Sequence, residues 1–372
     1  VTKGFQKKYF INLNATRFLA FLPVFLTHCF YTNDEQLKST SIYVFVQEHL
    51  KLGLLALDYF FVLSSFLISW IIYEEIEAEA DISLRNFYIR RSLRIFPLYF
   101  LVVFIGFALY YYDSFCDYHW ISALPSFHHF LFFTLNFYMM NHGIHFLFFL
   151  TFFWSVSVEE QFYVFWALVL KYVRKYDVLI SVLLIVTSLV FRAMNINNNQ
   201  RLVFHTFSSL ANFGVGNLLC IAFFKYQVKA EKLLSLIPLP LKYIIYAAFL
   251  LVCIMYNQVF CVDYLVVPER FLFALFFAFV IADLAFSEKP TFQFERLKWM
   301  NYFGQLSFGM YCYHGIIMTL AYFLLSKTKL IHMPFMVFFV TPIFLFVVTL
   351  MLAHYSYVLI EKPILKLKKR FY

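Results

Sequence analysis

The fold class this sequence predicts is all-α: a polytopic transmembrane bundle of about ten spans with both termini cytoplasmic. Three observations predict it. Of the 372 residues, 63% are hydrophobic and only 14% charged, against about 45–50% and about 25% in soluble domains; the mean hydropathy is +0.74. Apolar runs of about 17–25 residues, enough to cross a bilayer, recur along the chain. The basic residues between them alternate in density from one connection to the next, the pattern that sets membrane orientation. Residues 1–372 read as one membrane-embedded domain, without internal repeat, low-complexity tract or linker.

The runs fall at 10–31, 51–73, 95–112, 152–170, 178–194, 203–224, 240–258, 268–286, 302–325 and 334–358. His128, His129, Asn136, Asn141, His142, Gly143 and His145 interrupt 128–150, which reads as a short interfacial or re-entrant segment. With the N-terminus inside, twenty-two of the 30 Lys and Arg residues face the cytoplasm. Seven lie outside, and Arg17 falls within the first span. If 128–150 crossed, the later connections would invert and this bias would collapse. Lys3, Lys7 and Lys8 precede a first run of full spanning length with no small-residue cleavage site, so no cleavable signal peptide is expected. Nine glycines predict few glycine-packed helix crossings. The six cysteines have no metal spacing. Cys116 and Cys261 fall in predicted outer loops and could pair; separate inert thiols are the plainer alternative. The net charge of +9 collects on one side of a membrane and does not form a nucleic-acid surface.

Ionisable groups inside the spans are costly and mark function by default. The first span, FINLNATRFLAFLPVFLTHCF, carries Arg17 and His28 eleven residues apart. They share a helix face roughly 16 Å apart along the axis, a permanent cation toward the cytoplasm and a proton acceptor toward the outside. A snorkelling Arg and an interfacial His would give the same pattern. Asp58 opens the second run near the outer surface; it could orient His28, pair with Arg17, or simply end a helix. Arg91 and Arg94 are three apart at a helix start, with Arg90 pointing elsewhere and Pro97 close behind. Positive-inside placement explains them, but two guanidinium groups on one face also match phosphate oxygens. Glu159 and Glu160 sit in FFWSVSVEEQFYVFWALVL. Ser155, Glu159 and Tyr163 form one stripe at i, i+4 and i+8; Ser157 and Glu160 form a second, about 100° round. A helix polar over so wide an arc lines a cavity. Such a carboxylate could orient a histidine or pair structurally with a buried Arg. His314 lies mid-span with Ser307 and Tyr311 on the same side. No phosphate-binding glycine loop, dinucleotide fingerprint, G-x-S-x-G elbow or H-E-x-x-H zinc motif is present.

These blocks, in this order, resemble the integral-membrane acyltransferase-3 family, which O-acylates glycans and some small molecules. The resemblance runs from about Asn12 to Lys369. Arg17-Phe-Leu-Ala20 followed by His28 is similar to the family's first-helix Arg and His, and Asp58 through Ile68 to its FFVLSGFLI block. Phe87 through Pro97 resembles the R-x-x-R block, and Trp154 through Tyr163 the WSLSVEEQFY signature. Ser307 through His314 resembles the SYSLYLxH block, and Glu361-Lys362-Pro363 the closing E-K-P. Asn14 stands where the family usually has Asp, and Ser65 where it has Gly, so a charge pair with Arg17 is not expected. The extracytoplasmic esterase-like domain of some members is not seen.

The resemblance implies an acyl-CoA-dependent O-acyltransferase, with acetyl-CoA or another acyl-CoA as co-substrate and no metal, acting on a hydroxyl of a cell-surface glycan or glycolipid. It implies a multi-pass protein of the plasma (inner) membrane. Arg91 and Arg94 would hold the donor phosphates, with Arg17 along the path of the pantetheine arm. His28 would be general base or transient acyl carrier, oriented by Glu159, with Glu160 and Asp58 as lesser candidates. Asn14, Trp154, Ser155, Ser157, Tyr163, Tyr311 and His314 would line the cavity or the acceptor site. A homo-oligomer or a separate extracytoplasmic partner protein remains open. The competing reading is a transporter using the same Arg, Glu and His as a proton relay; a third is a scaffold with a degenerate site.

Overall fold

The computed structural model describes residues 10–30, 32, 34–50, 52–115, 123–260 and 263–371. Lys3, Lys7, Lys8, Lys51, Cys116 and Cys261 lie outside the described residues, so the suggested Cys116–Cys261 pairing does too. The described regular structure is entirely helical. A main helix lies in each of the ten apolar ranges: α1 Asn12–Cys29, α2 Gly53–Glu79, α3 Leu84–Phe115, α4 Phe153–Tyr172, α5 Asp177–Met194, α6 Leu210–Lys225, α7 Leu239–Ile254, α8 Glu269–Phe286, α9 Lys298–Leu325 and α10 Thr341–Ser356.

Six helical stretches among the described residues are long and apolar enough to cross a membrane. They contain α2, α3, α5, α6, α9 and α10. A seventh counts if Gln227–Ser235 and α7, bent by 85° across residues 236–238, form one broken span. The other helices fall short because of the groups that make them interesting. α1 carries two Asn and Arg17, α4 carries Glu159 and Glu160, and α8 carries Glu269, Arg270 and Asp283. Residues 127–151 form three short helices, Phe127–Leu131, Leu135–His142 and Phe148–Thr151. Phe133 (φ 52°) and Gly143 (φ 75°) take positive φ at the breaks. None of the three is long enough to cross.

The chain packs as two compact units. The first comprises residues up to Phe18, Leu57–Leu84 and Glu159–Gly304; the second comprises Leu19–Ala56, Arg85–Val158 and the chain from Gln305.

In the first unit, α6 packs on α5 and α8, and the stacked rings of Phe162 and Phe213 (4.1 Å) hold α4 to α6. α9 meets α1 so closely that a Cβ at Gly304 would sit 1.8 Å from the Asn14 carbonyl oxygen; only glycine fits. Charged groups buried here are paired, as low dielectric demands. Lys242 donates to Asp283 at 2.6 Å and to Ser287 Oγ at 2.6 Å. Asp177 accepts from Tyr73 and Lys225. Asp58 accepts from Asn212 Nδ2 at 2.6 Å and faces Arg270 at 3.6 Å, while Arg192 pairs with Glu269 at 3.1 Å.

In the second unit, a Cβ at Gly315 of α9 would lie 2.4 Å from the Phe152 ring and 2.7 Å from Phe149 Cβ. α9 therefore lies directly against the segment leading into α4. Tyr322 donates to the Cys29 carbonyl at the end of α1, and Tyr313 and Ser356 are hydrogen-bonded at 2.8 Å. Glycine-packed helix contacts are commoner than the nine glycines predict: besides Gly304 and Gly315, a Cβ at Gly214 would lie 2.6 Å from the Ser181 carbonyl oxygen and one at Gly216 2.4 Å from the Val62 carbonyl oxygen.

Candidate active site

The second unit gathers His28, Tyr311, His314 and Ser155 around one phenylalanine. His28, near the C-terminal end of α1, is half-buried. Its ring packs against Phe152 with centroids 4.4 Å apart, against Phe148 at 5.8 Å and against His314 at 5.6 Å. His314 is fully buried. It stacks on Phe152 at 4.5 Å and meets the edge of Phe21 at 5.8 Å. Its Nδ1 lies 2.6 Å from the Tyr311 carbonyl oxygen, which can only accept, so Nδ1 carries the proton. Its Nε2 has no hydrogen-bond partner among the described residues. Tyr311 hydroxyl donates to the Phe152 carbonyl at 2.6 Å and is hydrogen-bonded to Ser155 Oγ at 2.7 Å. Helical spacing produces the set: Tyr311 and His314 are three apart on α9, and Phe152 and Ser155 three apart at the start of α4. Ser155, Ser157 and Trp154 are all buried. Ser157 Oγ donates to the Phe153 carbonyl four residues back at 3.1 Å, a bond within its own helix.

Arg91 and Arg94 of α3, also in the second unit, are half-buried. The Arg91 guanidinium lies 5.9 Å from the Phe87 ring centroid. Glu361 is buried, with an Oε1 that has no hydrogen-bond partner among the described residues. Arg90 is buried and donates to the Phe371 carbonyl at 2.6 Å, so it does point elsewhere, as the helical spacing predicts.

The remaining candidates belong to the first unit. Arg17 Nη1 donates to Asn14 Oδ1 at 3.2 Å, so the Asn keeps the hydrogen bond an Asp would make. Tyr163 hydroxyl donates to Glu159 Oε2 at 2.7 Å, joining two members of the predicted stripe. Glu160 is buried on the second stripe. Asp58 has partners of its own in Asn212 and Arg270. Sequence reasoning missed Phe148 and Phe152, whose only signal is an i, i+4 spacing inside a long aromatic run. It also missed Arg192 and Arg270 as buried groups, because both sit at helix ends where cations are ordinary.

Comparison with known proteins gives a family-wide match. The model described as an acyltransferase domain (Acyl_transf_3) matches residues 10–355. The chain is 24% identical over 339 residues to the protein named "Putative peptidoglycan O-acetyltransferase YrhL" of Bacillus subtilis (strain 168), covering 84% of this chain and 50% of that protein. It is 25% identical over 197 residues to the peptidoglycan O-acetyltransferase OatA of Listeria monocytogenes, covering 49% of this chain and 28% of that protein. It is 34% identical over 151 residues to an uncharacterized protein of Haemophilus influenzae, covering 36% of this chain and 56% of that one. The chain thus spans about half the length of YrhL, 28% of OatA and 56% of the Haemophilus protein. No solved structure matches the chain.

Proposed function

We propose, since this chain belongs to the Acyl_transf_3 acyltransferase family, that it is a membrane O-acetyltransferase moving an acetyl group from acetyl-CoA to a hydroxyl of a cell-envelope glycan. The names of two relatives favour peptidoglycan as the acceptor class. In this proposal the ten main helices form the membrane domain, both termini are cytoplasmic, and the membrane is the plasma membrane. Donor enters from the basic cytoplasmic side and acceptor from the other.

One observation carries the reading: a half-buried imidazole, His28, held in an aromatic cage beside a second imidazole. In the proposal these rings would limit water around the thioester, which water would otherwise hydrolyse. Arg91 and Arg94 would bind the donor's phosphates with paired N–H donors. His28 would then take the proton from the acceptor hydroxyl, or accept the acetyl group and pass it on. Either way the C–S bond breaks and an ester C–O bond forms; in direct transfer the hydroxyl proton ends on the departing thiolate by way of His28, and in the carrier route His28 protonates the thiolate and regains a proton from the hydroxyl. Arg17, Glu159 and Glu160 enter the proposal on the family's motifs, Arg17 beside the donor and the glutamates as orienting groups. Asp58 is set aside because Asn212 and Arg270 already engage it. No observation favours the transport alternative.

The test uses the full chain, purified in detergent and reconstituted in vesicles, with acetyl-labelled acetyl-CoA and peptidoglycan oligosaccharides. The proposal expects label on the oligosaccharide, and a raised KM for acetyl-CoA, about tenfold or more, in Arg91→Ala and Arg94→Ala. Solute uptake by the vesicles without any acetyl transfer would overturn it.

A further inference from the structure

The two imidazoles of the second unit differ in a way that divides their labour. His28 is half-buried as a side chain. His314 is buried, stacked on Phe152, with Nδ1–H committed to the Tyr311 carbonyl and the Nε2 lone pair left without a donor among the described residues. That arrangement fixes the tautomer of a proton acceptor: one nitrogen held by a backbone carbonyl, the other presenting its lone pair. A buried acceptor left without a donor is destabilising, so a structural histidine would be expected to satisfy it. The neighbour that shares Phe152 with it is His28, 5.6 Å away between centroids.

We infer that His314 is a second catalytic residue: its Nε2 takes the proton of the acceptor hydroxyl while His28 carries the acetyl group. The inference rests on the proposed transferase activity and deepens it. An acylated nitrogen has no lone pair, and the ring's other nitrogen points away from the acetyl carbon, so a separate base beside the acetyl group serves the attacking hydroxyl. In the first half-reaction a His28 nitrogen attacks the thioester carbonyl. The C–S bond breaks, and the thiolate leaves with the proton from the other His28 nitrogen, giving free CoA and neutral acetyl-imidazole. In the second, the acceptor oxygen attacks the acetyl carbon. Its proton passes to His314 Nε2, the C–N bond to His28 breaks, and the proton moves on to the His28 nitrogen. Both rings end as they began. Tyr311 is a positioning residue: its carbonyl sets the His314 tautomer, and its hydroxyl ties α9 to the Phe152 carbonyl and Ser155.

The test follows both half-reactions in the purified full chain with labelled acetyl-CoA. Peptidoglycan oligosaccharide serves as the hydroxyl acceptor and hydroxylamine as a nucleophile that needs no base. His314→Gln keeps a polar group near Nε2 but cannot carry a proton. It should retain the initial burst of CoA release and transfer to hydroxylamine, and lose transfer to oligosaccharide about 100-fold or more. His28→Ala should lose all three. His314→Asn, which keeps a donor for the Tyr311 carbonyl, should behave as His314→Gln and serves if that variant does not fold. Unchanged oligosaccharide transfer in both variants would overturn the inference. So would equal loss of the burst, hydroxylamine and oligosaccharide activities in a folded variant, since that is the signature of structural damage. Wild-type protein transferring acetyl to neither nucleophile would instead overturn the proposed function itself.

Discussion

Single residues decide how strongly this protein commits its buried charges. Asp58 and Arg270 illustrate it. Asp58 is buried on α2 and receives Asn212 from α6 and Arg270 from α8, while Arg270 also reaches Ser209 Oγ. Removing one member of a buried pair strands the other, at a cost of about 3–5 kcal/mol. Arg270→Met should therefore unfold in denaturant well before wild type, and adding Asp58→Asn should recover part of the loss. A double variant no better than Arg270→Met alone would show that the two do not act on each other. The same scale shows what was legible in the chain. Arg17, His28, Glu159 and His314 stand out because a polar group in an apolar run is expensive. Asp58 stands out for the same reason, but its partners do not. Asn212 lies 154 positions along from it and Arg270 lies farther still, and no spacing rule links them to Asp58 before the helices are packed.

At the scale of elements, hydropathy located the helices well and their ends poorly. α2 continues to Glu79, through a glutamate-rich stretch, because charge limits burial in lipid but not helix formation. α3 starts at Leu84, eleven residues before its apolar run begins at 95, and so carries both Arg91 and Arg94 on a formed helix. The bend before α7 and the π-helical segments Met336–Val340 and Tyr357–Glu361 were not foreseen. Pro238 and Pro240 flag the bend, but a π turn has no composition of its own. The connection after α2 makes a direct prediction. Lys171, at the end of α4, donates to Asp81 and to the Ile82 carbonyl at 2.8 Å. This contact, with the Ile82 N–H, holds the Asp81 carboxyl below the usual carboxylate range. A carboxyl so depressed contributes fully above the unfolded value, about 3.9, and its contribution is lost as pH falls through the lowered folded value. Limited proteolysis of residues 80–83 should thus be slow in wild type at neutral pH and rise only in strong acid. Lys171→Met should make the same bonds cleavable at neutral pH. Equal cleavage of the two proteins would contradict the contact's role.

At the scale of the whole chain, membrane character was legible from composition, and the family from the order of its motifs. The span count was less so. Six or seven stretches are apolar enough to cross, and the helices left over are those carrying Arg17, the two glutamates and the α8 charges. The basic residues also serve two purposes. Lys225 and Lys242 were counted as cytoplasmic markers, yet each is spent on a carboxylate, Asp177 and Asp283. In the second unit one aromatic ring brings together two histidines from opposite ends of the sequence, and the proposed function rests on them. The most direct measurement is acetyl transfer from acetyl-CoA to peptidoglycan oligosaccharide by the reconstituted full chain, wild type beside His28→Ala. The account predicts transfer by wild type and a loss of about 100-fold or more in the variant, with its unfolding unchanged. A folded His28→Ala protein that still transfers at the wild-type rate would contradict it.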